Sequence, residues 1–219
     1  MVKKWVACGD SFTAGAFDMD KNSEAYDTEW GMYKTYPWWI GKRNNMSIVN
    51  EAISGSVFAN FEGASNPFSV NRYLAVPTDA DYVTLMFGLN ECTGLTDEQI
   101  GTKTDTTNKT LWGAYNIVFE HFYRNMPYAK VGVIFADSWL TVKYKDAVKE
   151  MCRYWGIAWI DLGDKDMPLG VFQRTGVEVS PVAQELRDKA FCVSSTNAHP
   201  NVEAHKYRST YIEEFLRRL

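Results

Sequence analysis

The sequence predicts an α/β protein, a parallel sheet covered by helices on both faces. Two observations lead there. Short apolar runs of strand length alternate with stretches whose apolar residues recur at helical spacing. The chain has 219 residues, of which 46% are apolar and 23% charged, enough for a packed core and too apolar for disorder. That length fits one domain, taken here as residues 1–219, and neither a repeat nor a linker divides it.

The elements follow in order. Residues 4–8, KWVAC, form an apolar run closed by Gly9-Asp10, a buried strand and a turn. Residues 17–32 are polar and read as a surface loop. Residues 33–43 carry aromatics at helical spacing, and the helix proper starts near Pro37, where proline is tolerated. A second strand, 47–50, feeds the loop Ser54-Gly55-Ser56. Residues 56–75 read as a helix plus irregular chain. The third strand, 81–87, ends in Gly88-Leu89-Asn90-Glu91, and a long polar loop, 92–107, follows. From Lys109 to Asn125, Leu111, Ala114, Tyr115, Val118, Phe119 and Phe122 mark a helix. A fourth strand (130–136), a helix (141–155), a fifth strand (157–161) and a last helix (201–219) complete the alternation.

Charge and cysteine usage narrow the function. A net charge of -4 provides no basic field for a phosphate backbone, so nucleic acid is not an expected partner. Cys8, Cys92, Cys152 and Cys192 lie far apart without metal-ligand spacing and read as reduced thiols, with a Cys92–Cys192 disulfide as the alternative. The first apolar stretch is too short for a signal segment, and no window reaches the ~18 apolar residues of a membrane span. A cytoplasmic protein with no membrane partner is expected.

The chemistry-bearing residues fall at strand ends. In an open parallel sheet, ligands bind beyond the carboxyl ends of the strands. Ser11 follows the first strand, Gly55 the second and Asn90 the third, while His199 precedes the last helix. These types suit acyl transfer. A serine hydroxyl needs a base, an imidazole has the right pKa, and backbone N–H groups with an asparagine amide can hold an oxyanion. A glycine at 55 would let the backbone approach closely.

Four segments resemble the conserved blocks of the SGNH/GDSL hydrolases, in family order and across nearly the whole chain. They are Gly9-Asp10-Ser11-Phe12-Thr13, Ser54-Gly55-Ser56, Gly88-Leu89-Asn90-Glu91 and His199-Pro200-Asn201. The resemblance implies a three-layer, flavodoxin-like α/β/α sandwich on a five-stranded parallel sheet. It implies Ser11 as nucleophile and His199 as base, with the Ser11 and Gly55 N–H groups and Asn90 Nδ2 as oxyanion donors. No cofactor and no metal are expected.

Two positions depart from the family pattern. The acid usually found three residues before the histidine is Thr196 here, so a backbone carbonyl or the Thr196 hydroxyl is expected to orient His199 Nδ1. Asp161 is the alternative. Glu91 stands where the family has Asp, a mild change that keeps the carboxylate.

Several further residues are weighed against plainer roles. Asp10 is expected to bond local backbone. His121 reads as structural, and His205 as packed or solvated. Trp139 and Trp30 lie in loops after strand four and after Ser11, where an aromatic could stack on a sugar or an acyl group. Asp18, Asp20, Asn22 and Glu29 match calcium-loop positions, but Ser23 replaces the required glycine, which favours a plain acidic loop.

The function expected is ester hydrolysis of a small acyl group, such as that of an O-acetylated carbohydrate, because no long apolar lid segment is present. A lysophospholipase or acyltransferase using the same serine is the alternative, as is an inactive carbohydrate-binding module, suggested by the missing acid.

Overall fold

The computed structural model describes residues 2–17, 23–136, 139–164, 166–167 and 178–219. Five parallel strands form the main sheet: β1 (Lys4–Gly9), β4 (Ser47–Asn50), β5 (Tyr82–Met86), β6 (Lys130–Phe135) and β7 (Ala158–Asp161). Their spatial order is β4-β1-β5-β6-β7. Counted along the chain this is the order two-one-three-four-five, so the connections reverse direction between β1 and β5. Trp5 pairs with Ile48 on one side and Tyr82 on the other, and Gly9 pairs with Met86 at the carboxyl edge.

Helix α2 (Tyr36–Asn44) joins β1 to β4 and packs against the last helix, α7 (Val202–Arg218). Helices α4 (Leu111–Asn125) and α5 (Val142–Trp155) join β5 to β6 to β7 and pack against each other. Right-handed crossovers running in opposite directions put these two pairs on opposite faces of the sheet. All six α4 residues marked by periodicity are buried, and Thr110 caps that helix by accepting from Gly113 N. Val83, Leu85, Val133 and Ile134 fill the interior of the sheet at no more than 3% exposure. Burial of such side chains contributes about 1.5–3 kcal/mol each.

Several segments depart from the sequence expectation. The 17–32 stretch contains a hairpin, β2 (Tyr26–Asp27) with β3 (Met32–Tyr33). Within 56–75 the only helical piece among the described residues is one 3-10 turn, Arg72–Ala75. The polar loop after β5 holds a short helix, α3 (Asp97–Ile100), where the Thr96 and Gln99 side chains cap one another's backbone. Helix α6 (Pro181–Phe191) is not among the expected elements. Among the described residues, no helix is long and apolar enough to cross a membrane.

Candidate active site

The site is built where the sheet reverses direction. After β1, Asp10 becomes the N-cap of the one-turn helix α1 (Ser11–Ala14), its Oδ1 accepting from Phe12 N at 3.0 Å. Ser11 is thus the first helical residue, whose N–H has no partner within the helix. A side chain at Gly9 would meet Thr13 Oγ1 at 2.3 Å and Met86 O at 2.8 Å, so only glycine lets this turn pack against β5. Asp10 is wholly buried, and burial pushes its carboxyl up to about 7.

After β4, residues Ile53–Ser56 make a turn in which Ser56 N donates to Ile53 O. Gly55 sits third in it at φ +76°, the conformation a type II turn demands there. The space around its α-carbon is open, so the glycine serves backbone geometry and not close approach. Ile53 N and Ser56 Oγ both donate to Gly9 O, at 3.1 Å each, which ties this turn to the serine turn.

After β5, three consecutive side chains reach three different walls. Asn90 Nδ2 donates to Ser56 O at 2.9 Å, which fixes its amide and leaves one hydrogen free. Glu91 is buried; its Oε2 accepts from Phe58 N and Ala59 N, and its Oε1 from the Tyr144 hydroxyl. Burial holds the Glu91 carboxyl up at about 7. Cys92 Sγ donates to Trp139 O at 3.3 Å.

His199 lies in the loop between α6 and α7. Its Nε2 stands 2.9 Å from Ser11 Oγ, although 188 residues separate the two. Its Nδ1 stands 2.7 Å from Asn197 Oδ1, which also accepts from His199 N at 3.1 Å. Asn197 Nδ2 donates to Ala16 O at 3.1 Å. These bonds fix the proton positions. The backbone N–H can only donate, so the Asn197 atom facing it is oxygen, and Nδ1 must donate to that same oxygen. Nε2 is then left with a lone pair facing the serine hydroxyl.

The residue expected to orient the imidazole is therefore corrected. Thr196 is exposed, and its hydroxyl meets Ser194 Oγ at 3.2 Å instead of the imidazole. The alternative, Asp161, is held by Lys145 and Lys149 at the end of β7. The signal that could have found Asn197 is its spacing. An asparagine whose side-chain oxygen accepts from the backbone N–H two residues on is the pattern of an Asx turn.

The two tryptophans part company. Trp139 is 48% exposed and set edge-on to both Phe12 and His199, with ring centroids 5.9 and 6.5 Å apart. Its φ of +60° is unusual for a bulky residue. Trp30 instead packs beside Gly41 and under Lys42, whose ammonium lies 4.5 Å from its ring. Those residues belong to the last turns of α2, next to the start of β4, at the opposite end of the sheet from Ser11.

The remaining candidates are structural. None of the four cysteines is in a disulfide, so Cys92 and Cys192 are not paired. His205 is buried against Phe17, and burial foremost holds it well below the usual imidazole range. His121 bonds Asn125 on the outer face of α4. Among the described residues, no cluster of three or more His, Cys, Asp or Glu side chains could hold a metal. Asp18, Asp20 and Asn22 of the acidic stretch lie outside the described residues.

Comparison with known proteins places the chain in a family and a fold. The GDSL-like lipase/acylhydrolase family matches residues 6–211. The chain belongs to that family. This GDSL-like hydrolase is an enzyme of the esterase class. Solved structures share its fold at low identity. A Lactobacillus plantarum protein superposes with a TM-score of 0.71 at 20% identity, over 99% of this chain and 97% of its own. A Bacteroides ovatus protein assigned to the GDSL-like lipases gives 0.66 at 17%, over the whole of both chains. A family two carbohydrate esterase from Clostridium thermocellum, in complex with cellohexaose, gives 0.62 at 17%, over 99% of this chain and 64% of that one. No curated protein matches the sequence. In this GDSL-like hydrolase the group seen on His199 Nδ1 is the amide oxygen of Asn197.

Proposed function

We propose that this enzyme hydrolyses small acyl esters through an acyl-Ser11 intermediate, with His199 as base and Asn197 as the group that orients it. One observation carries the reading: Ser11 Oγ lies 2.9 Å from an imidazole nitrogen whose other side is committed to donating. As Oγ attacks the ester carbonyl, its proton passes to Nε2. The tetrahedral oxyanion is taken up by Ser11 N–H, Gly55 N–H and the free hydrogen of Asn90 Nδ2, each donor being worth about 2.7–4 kcal/mol. Collapse expels the alcohol, which receives the proton from Nε2. Water then repeats the sequence on the acyl-enzyme and releases the acid.

An amide oxygen holds the tautomer as a carboxylate would, but it places no negative charge beside the imidazolium. An oriented imidazole beside Ser11 favours the active enzyme over an inactive scaffold.

The substrate proposed is a small-molecule ester, an acyl group on a sugar. The half-exposed Trp139 beside His199 supplies an apolar face for a ring, and the fold is one a carbohydrate esterase also uses. Nucleic acid and membrane are not proposed as partners, given the net charge of -4.

A fluorophosphonate probe and two p-nitrophenyl esters test this. The protein should label, Ser11→Ala should not, and the acetate should be hydrolysed faster than the palmitate. Absence of labelling in the intact protein removes the acyl-serine reading, and preference for palmitate removes the small-acyl reading.

A further inference from the structure

We infer that Glu91 is a positioning residue, a buried clamp that holds the Gly55 turn and the Asn90 amide in the geometry that receives the oxyanion. This rests on the acyl-serine reading above. The Gly55 turn is stiffened on its serine side by Gly9 O, which accepts from Ile53 N and Ser56 Oγ. On its far side the chain runs on through Val57 to Phe58 and Ala59. The N–H groups of those two residues meet on one carboxylate oxygen, Glu91 Oε2, at 2.9 and 3.2 Å.

Glu91 follows directly on Asn90, whose Nδ2 holds Ser56 O. Residues 90 and 91 thus grip one short segment at two points, and the two loops move as a unit. The other carboxylate oxygen is fixed from helix α5. Tyr144 on α5 donates to Oε1 at 3.2 Å. Its ring packs so closely on Gly88 that an added side chain there would lie 2.4 Å from it.

Burying a carboxylate is unfavourable, because removal from water disfavours its charge. Three donors offset that cost here. They come from the segment carrying one proposed oxyanion donor and from the helix behind it. The glutamate has the reach to span this gap; the family's shorter Asp would stop one methylene earlier.

A misplacement of about 1 Å at a reacting centre can cost 10²-fold in rate. The test compares Glu91→Gln with Tyr144→Phe, each measured per serine titrated by a fluorophosphonate. The glutamine keeps the size and the amide acceptor but presents a donor to Tyr144. We expect kcat on p-nitrophenyl acetate to fall about tenfold, with KM within about twofold. Affinity for phenylboronic acid, whose Ser11 adduct is tetrahedral, should fall by the same factor. Tyr144→Phe removes one of the three donors and should give a smaller loss in the same two quantities; it decides the matter if Glu91→Gln does not fold.

A purely structural role would lower the titratable fraction and leave kcat per serine unchanged. The clamp is therefore overturned by kcat per serine within twofold of wild type in the folded variants. It is equally overturned by a fall in kcat with boronate affinity intact. Failure of the wild-type protein to label would sink the acyl-serine reading instead, which separates the two claims.

Discussion

The two halves of the site are held in different ways. Ser11, Gly55 and Asn90 stand on turns that leave adjacent parallel strands within a few residues, and each turn is bonded to the next. Gly9 O accepts from the second turn, and Ser56 O accepts from the third. His199 stands on the loop between α6 and α7, which carries bonds of its own among the described residues. Val193 N donates to His199 O, Cys192 pairs with Pro200, and Asn201 caps α7 while its Nδ2 reaches back to Ala190 O. Asn197 then reaches across to Ala16 O, just past the serine turn. On the nucleophile side, geometry comes from the sheet. On the base side, among the described residues, the Asn197 amide orients the imidazole with its oxygen and anchors the loop with its nitrogen.

That contrast predicts where substitutions should hurt. The largest effect belongs to the sheet side. Asn90→Ala removes an oxyanion donor together with the bond to Ser56 O, and kcat should fall about 10²–10³-fold. A fall under tenfold would mean that Asn90 serves only to tie the turns together.

A smaller effect is expected on the base side. Asn197→Ala frees both the tautomer and the loop, and kcat should drop about 10²-fold, less than the ~10⁴-fold known when a carboxylate partner is replaced by a wrongly oriented amide. Thr196→Ala should stay within about twofold, since an exposed hydroxyl bonded to Ser194 touches neither reacting group. Equal losses in the two variants would contradict a special role for Asn197.

The smallest effect is one of stability. Asp10 is raised to about 7 in the folded protein against 3.8 unfolded, chiefly by burial. The folded state therefore holds this proton more tightly, and stability falls as pH rises from about 4 through 7. Asparagine keeps the cap to Phe12 N without the charge. The gain in melting temperature of Asp10→Asn over wild type should thus be larger at pH 8 than at pH 5; a gain independent of pH would contradict the assignment.

Local patterns decided much of this protein. Apolar periodicity alone locates the five parallel strands and the α2, α4, α5 and α7 helices to within a few residues, because both faces of the sheet must be covered by apolar stripes. Ser11, Gly55, Asn90 and His199 were legible because each is embedded in a short motif at a strand or helix end. The hairpin at 26–33 was hidden by its two-residue strands, and α3 by a length of one turn.

Contacts between loops far apart in the chain belong to the tertiary structure. Asn197 and not Thr196 meets Nδ1 because the loop closes an Asx turn and anchors on Ala16, 181 residues earlier. Trp139 and not Trp30 lines the site because the β2–β3 hairpin folds down onto α2, away from the serine. Glu91 faces two amides 32 and 33 residues before it only once β5 lies beside β1. Hydrophobic spacing records which face of an element is buried, but a hydrogen bond between loops depends on where two chain ends arrive in space, and sequence neighbours carry no trace of that.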